Sequence, residues 1–213
     1  MAPHPGIYRF DPAVWQALWD APLDSLPREV FFHLPEWCVY LEVPSAFREA
    51  VGADGAFVFL EHDANTGGWE VRVVADTHAH LVPLPAVLLD SPTIAEALEA
   101  LVRRYRPETP TGQGPQYAAV TALPHWLAVT VYLCARNADL GRYGRPARPT
   151  RLQGHRTHRG ERLIPPPDPR VWEVGYRVGA ALRRARQAAD RVAHGGTHAA
   201  PVPHLRRAHW HLY

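Results

Sequence analysis

The residues with the clearest chemical potential stand at the end of the chain, in Pro203-His204-Leu205-Arg206-Arg207-Ala208-His209-Trp210-His211-Leu212-Tyr213. Read as a strand, this stretch alternates faces, so Arg207, His209, His211 and Tyr213 share one side at steps of about 7 Å per two residues. Two imidazoles beside a guanidinium can supply a general base, a general acid and a clamp for a charged transition state. Arg207, His209 and His211 are therefore the candidate catalytic set of a metal-independent ribonuclease. The His-x-His spacing also fits two ligands of one metal on a strand. A wet strand face that happens to carry His and Arg would use them for neither purpose.

A second group suits phosphate rather than catalysis. Arg142, Arg145, Arg148, Arg151, Arg156, Arg159 and Arg162 fall within 21 residues, opposed there only by Glu161. Arg183 and Arg184 on a following helix, and Arg206 in the terminal strand, extend the same set. Guanidinium forks match phosphate oxygens and stack on bases. The competing reading is a solvated basic loop that balances an acidic surface elsewhere in the fold. A third group, in Leu34-Pro35-Glu36-Trp37-Cys38-Val39-Tyr40, offers Trp37 and Tyr40 as an amphipathic contact surface for a protein or peptide. Residues of these types more often pack a sheet.

Charge separates along the chain. Of 213 residues with a net charge of +2, residues 1–100 carry −11 and residues 101–213 carry +13. All 23 basic residues counted as Lys+Arg are Arg. Such a positive half calls for a polyanion partner or for an acidic surface within the fold. The two cysteines, Cys38 and Cys134, form neither a C-x-x-C pair nor a disulfide framework. G-x-S-x-G, Walker and H-E-x-x-H patterns are absent, and His194-x3-His198 sits beside Gly195-Gly196 rather than on a clear helix. No cofactor, resident metal or small-molecule substrate is expected. The start, MAPHPGIYRFDP, has no basic n-region followed by an apolar run, which gives a cytoplasmic expectation. Tyr117 to Ala135 runs 19 residues without a formal charge, near the length that spans a membrane. Its Pro124, His125, Thr121 and Thr130 favour a buried core helix instead, so no membrane partner is expected.

The elements that must hold these groups follow from pattern. Asp11 caps a helix with Pro12 in its first turn and Phe10 stapled onto Trp15, ending before Pro22. Val30–Leu34 and Trp37–Val43 read as strands. Ala56–Glu61 and Trp69–Ala75 read as a hairpin about a turn-rich loop, and Leu81–Leu89 as a proline-interrupted edge strand. Ser91-Pro92 opens a helix carrying Ile94, Leu98, Leu101, Val102 and Tyr105 on one face. An apolar helix near 124–137, a strand at Val171–Val174, a helix over Gly179–Val192 and a terminal strand over His204–Tyr213 complete the set. Residues 142–170, with eight Arg and six Pro, read as a flexible loop. The fold class is α+β: an antiparallel sheet with three to four helices packed mainly on one face, over a single domain spanning 1–213.

Three blocks, FFHLPEWCVYLE (31–42), VWEVGYRVGAALR (171–183) and PHLRRAHWHLY (203–213), together resemble a family of mostly uncharacterised proteins from phages, plasmids and other bacterial mobile elements. The type V-A anti-CRISPR protein that blocks production of the CRISPR effector nuclease is similar to that family as a divergent relative. The resemblance implies an intracellular mobile-element protein acting on the nascent effector or its messenger RNA. It also implies a further strand after the terminal block. The functional expectation is a regulatory or anti-CRISPR-like protein that binds RNA or a ribonucleoprotein through its basic half. The alternatives are a protein- or peptide-binding module and the metal-independent ribonuclease.

Overall fold

The structure is a computed structural model that describes residues 5–64, 67–106, 115–149, 154–157, 160–163 and 170–193. The chain opens with a strand, β1 (Gly6–Phe10), in which Tyr8 and Phe10 are buried while Arg9 is exposed. Asp11 then caps helix α1 (Pro12–Trp19), its carboxylate accepting from the Ala13 amide at 2.9 Å, with Pro12 in the first turn. The expected staple is present: the Phe10 and Trp15 rings meet edge to face at 5.5 Å. A 3₁₀ turn over Arg28–His33 leads to β2 (Cys38–Glu42). A further short turn and α2 (Arg48–Val51) follow, closed by Gly52 at φ 71°. The long hairpin is β3 (Gly55–Asp63) and β4 (Gly68–Asp76), and β5 (Leu81–Pro83) and β6 (Val87–Leu88) both pair with β4. Helix α3 (Ile94–Tyr105) is capped by Thr93, whose hydroxyl accepts from the Glu96 amide at 3.2 Å.

Helix α4 (Pro115–Cys134) leads into a tight hairpin of β7 (Leu140–Arg142) and β8 (Arg145–Pro146). A separate antiparallel pair, β9 (Gly154–Thr157) and β10 (Gly160–Leu163), precedes β11 (Val171–Val174) and α5 (Tyr176–Ala193). Among the described residues nine strands make one sheet, in the order β5-β4-β3-β2-β1-β11-β7-β8 with β6 also on β4. It is mostly antiparallel, as expected for this α+β class. The exception is its centre, where β1 runs parallel to both β2 and β11.

Strand alternation divides the sheet cleanly. Tyr8, Val39, Leu41, Val58, Val73 and Trp172 point to one side and are nearly or wholly buried. There they join Trp15, Ile94, Leu123, Trp126 and Leu127 from α1, α3 and α4 in one contiguous core. Helix α4 is long and apolar enough to cross a membrane by length and composition. It runs through this core instead, with Val120, Leu123, Leu127, Ala128 and Val129 fully buried.

The structure corrects several sequence readings. Residues 30–34 are not a strand: Arg28–His33 form the 3₁₀ turn that buries Phe31 in the core, and their aromatic and β-branched types serve that packing rather than a ladder. Strand β1 has no counterpart among the expected elements, since a five-residue strand between prolines carries little periodic signal. The apolar helix begins at Pro115 rather than near Pro124. Pro124 inside it forgoes one backbone donor, and the buried face on both sides of it outweighs that loss. Helix α5 starts at Tyr176, three residues before the expected Gly179. The 142–170 segment is not all loop, since it carries β8, β9 and β10. The expected strand at His204–Tyr213 lies outside the described residues.

Candidate functional site

Three surfaces carry the residues singled out by type. The first sits where the core-facing side of the sheet runs out from under its helices. Trp37 immediately precedes β2, and its carbonyl accepts from the Leu60 amide at 3.0 Å, fixing it beside the β3–β4 hairpin. In that hairpin His62 stands opposite Trp69. The Trp37 and Trp69 rings stack at 5.6 Å and 13°, and Phe32 and His62 each meet Trp69 edge-on at 5.3 and 5.1 Å. Trp37 remains 51% and Phe32 37% exposed, so this is an open aromatic cluster rather than core. On the opposite face of the same hairpin Glu61 and Glu70 face each other and share Arg72, at 3.1 and 2.6 Å. Sequence reasoning found Trp37 but missed Phe32, His62 and Trp69. The hairpin register was the only signal that pairs His62 with Trp69.

Tyr40 does not join that cluster. Three residues along the same strand, it lies on the opposite face of the sheet. There it meets Phe57 at 4.8 Å and donates to the Asp76 carboxylate at 2.8 Å. Burial, with the hydrogen bond to Asp76, pushes its phenol well above the usual tyrosine range. Cys38 shares this face, and burial, helped by Glu36 and Glu61, pushes its thiol up to about 12. A thiol held protonated in this way is not a nucleophile at neutral pH. Among the described residues no cluster of three or more His, Cys, Asp or Glu side chains is arranged to hold a metal.

The second surface is the basic end of the sheet. Strands β11, β7 and β8 lie at the opposite end from β4 and β3, and helix α5 starts beside them, at Asp139. Arg142 and Arg145 pair across the β7–β8 hairpin. Its two-residue tip, Tyr143-Gly144, has φ of 54° and 70°. The Arg142 guanidinium lies 5.0 Å from the Tyr143 ring centroid, and the ring is 83% exposed. An open groove beside the hairpin is lined by Asn137, Leu140, Ala147, Arg148 and Arg177. Arg148 donates to the Arg136 carbonyl.

Some arginines here are already committed to the fold. Asp139, with its side chain 3% exposed, accepts from the Arg177 and Val178 amides at 2.7 and 3.0 Å and from the Arg177 guanidinium at 2.7 Å. Burial alone would raise its carboxyl. The donors from Val178 and Arg177 outweigh that and hold it below the ordinary aspartate range. Arg183 grips the Asp11 carboxylate at 2.7 and 2.5 Å, and Arg186 donates to Gln16 at 2.7 Å. Arg184 is exposed on α5. Arg151 and Arg159 lie outside the described residues, and only the backbone of Arg156 and Arg162, in β9 and β10, is described.

The third group, Arg206, Arg207, His209 and His211, lies wholly outside the described residues. A neighbouring part of the resemblance has a structural meaning. Glu36 accepts from the Gly6 amide at 3.0 Å and from the Tyr8 hydroxyl at 3.1 Å, so it pins the central strand β1 in place. Burial raises its carboxyl against those two donors. Trp172 of the second block packs beside it, since a side chain at Gly6 would meet both Glu36 and the Trp172 indole nitrogen. Two of the three blocks thus meet at the middle of the sheet.

A model of AcrVA2-like proteins, the anti-CRISPR type V subtype A2 family, matches residues 8–213. Among solved structures, the crystal structure of AcrVA2 aligns with a TM-score of 0.66 at 24% identity, over 98% of this chain and 65% of that one. The chain therefore spans about two thirds of the AcrVA2 length it matches. No curated protein matches the sequence. The chain belongs to the AcrVA2-like family.

Proposed function

We propose that this AcrVA2-like chain is an anti-CRISPR protein of a mobile element that acts inside the host cell on the CRISPR machinery, binding RNA or a ribonucleoprotein through its basic half. The family gives the class of target. The observation that carries the RNA reading is the strand order. It gathers β11, β7 and β8, with Arg142, Arg145, Arg148 and Arg170 in or beside them, at the end of the sheet away from the acidic hairpin β3–β4. Guanidinium groups in one place contact phosphates and release counterions, so binding weakens steeply with salt. The test is affinity capture of the full chain from a bacterial host producing a type V-A effector, with and without ribonuclease. An effector or transcript lost on ribonuclease treatment supports the reading. No single-stranded RNA binding by the purified chain at low salt removes it.

The Trp37–Trp69–Phe32 cluster favours a second reading. Exposed aromatic rings, with no cationic side chain among the described residues stacked on Trp37 or Trp69, fit an apolar protein segment better than a phosphate backbone. A captured partner that survives ribonuclease and is lost on Trp37→Ala would place the protein contact there. The two readings are compatible, because the surfaces lie at opposite ends of the sheet.

A further inference from the structure

We infer that the tip of the β7–β8 hairpin is a base-stacking finger: Tyr143 takes an unpaired nucleic-acid base on its ring while Arg142 and Arg145 hold the flanking phosphates. This rests on the RNA-binding reading and names the site within it. Three observations carry it. The first is the backbone. Two-residue hairpin loops with positive φ at both positions are filled by Asn-Gly or Gly-Gly, because a side chain there crowds its own carbonyl. Here a tyrosine occupies the first position at φ 54°. A bulky residue in the left-handed region is strained, and such strain persists where the side chain has a use.

The second is that the fold gives the ring nothing in return. Tyr143 is 83% exposed, the highest among the exposed large hydrophobic residues described. Its one described ring partner is the neighbouring Arg142, whose guanidinium lies 5.0 Å from the centroid and 3.4 Å from the hydroxyl. The third is rigidity. The Gly144 amide donates to Glu173 of β11 at 3.0 Å, tying the tip back to the sheet. An aromatic ring presented on a fixed turn, with an arginine against it and Arg145 across the strand pair, reproduces the stacking platform of single-strand binders. An acidic protein segment would use the two arginines but would leave the ring without a flat partner.

The experiment measures binding of fluorescent single-stranded oligonucleotides to the full chain by anisotropy at two salt concentrations. RNA and DNA of the same sequence form separate arms. The variants are Tyr143→Asn, which suits the turn, and Tyr143→Trp, which keeps a stacking face. Tyr143→Asn should weaken binding by about 5- to 100-fold, as expected for the loss of one stacked base, with the salt slope unchanged. Tyr143→Trp should bind as well as the parent. Arg142→Ala and Arg145→Ala should lower the slope instead. Tyr143→Asn should melt no lower than the parent, which excludes misfolding as the cause of its loss. RNA binding by the parent with no loss in Tyr143→Asn overturns the finger and leaves the RNA reading standing. No nucleic-acid binding by the parent overturns both. A Tyr143-dependent interaction with an acidic peptide, and none with either oligonucleotide, assigns the tip to a protein and also overturns the proposal.

Discussion

Asp139→Ala gives the most direct test of how the basic end is held. The Asp139 carboxylate receives the Arg177 and Val178 amides at 2.7 and 3.0 Å, so it does for α5 what an N-cap side chain does for any helix. The next contact, to the exposed Arg177 guanidinium, is screened and adds little. Removing the cap should cost about 1–2 kcal/mol, the upper part of the range for caps because the amides it leaves are partly buried. With a urea slope of about 2 kcal/mol/M, the midpoint should fall by about 0.5–1 M. The sign with pH follows from the depressed carboxyl. A folded-state value below the unfolded one contributes stability above about pH 4, which is lost as pH falls further. The gap between parent and variant should therefore be constant from pH 7 to 5 and narrow below pH 4. A midpoint unchanged at pH 7, or a gap that stays the same down to pH 3, would refute the assignment of charge and cap to Asp139.

Gly175→Ala should destabilise by about 2–4 kcal/mol in the same urea assay, since its φ is +73° and a Cβ would lie 2.6 Å from Val14. Trp37→Ala should leave the thermal midpoint nearly unchanged, because the ring is 51% exposed, while reducing capture of a ribonuclease-resistant partner. If the chain cleaves RNA, His209→Ala and His211→Ala should each lower the rate by about 10²–10⁴-fold, the profile should be bell-shaped in pH, and a chelator should have no effect. Intact RNA after incubation with the parent chain, or variants that cut normally, excludes the ribonuclease.

Where local chemistry decides a structure, the sequence was readable. The Asp11-Pro12 start of α1, the Phe10–Trp15 staple and the β3–β4 hairpin follow from capping, proline geometry and alternation, and all are present. Where partners far along the chain decide, it was not. Strand β1 is five residues long and owes its place to β2 and β11 on either side and to Glu36. The parallel pairing at the centre cannot be read from period-two alternation, which is the same for either direction. Residues 30–34 have β-branched and aromatic types, yet Phe31 is buried as one turn of a 3₁₀ helix between prolines. For the candidate sites the limit was similar. Trp37 and Tyr40 are neighbours in sequence but face opposite sides, and Trp37 finds its partners across the β3–β4 hairpin. Tyr143 carried a signal in Tyr-Gly between two short polar strands, but a tyrosine is an unusual residue for that turn.

The charge asymmetry of the sequence can now be followed into space. The four arginines of residues 1–100 pair with carboxylates of that same half: Arg9 with Glu42, Arg28 with Glu29, Arg48 with Asp54 and Arg72 with Glu70. Arg183 with Asp11 joins the two halves, at the base of α1 near the middle of the sheet. The acidic hairpin and the β7–β8 hairpin are separated by the steps from β3 to β7, about 19 Å at the usual interstrand spacing. At physiological ionic strength the screening length is about 8 Å, so charges at that distance scarcely neutralise each other. The arginines near β7 and β8 are therefore not balanced by the acidic hairpin; among the described residues, the carboxylates at their own end are Asp139, held by Arg177, and Glu173, which accepts from the Gly144 amide. This argues for a polyanion at one end of the sheet and, independently, for an apolar protein contact at the other.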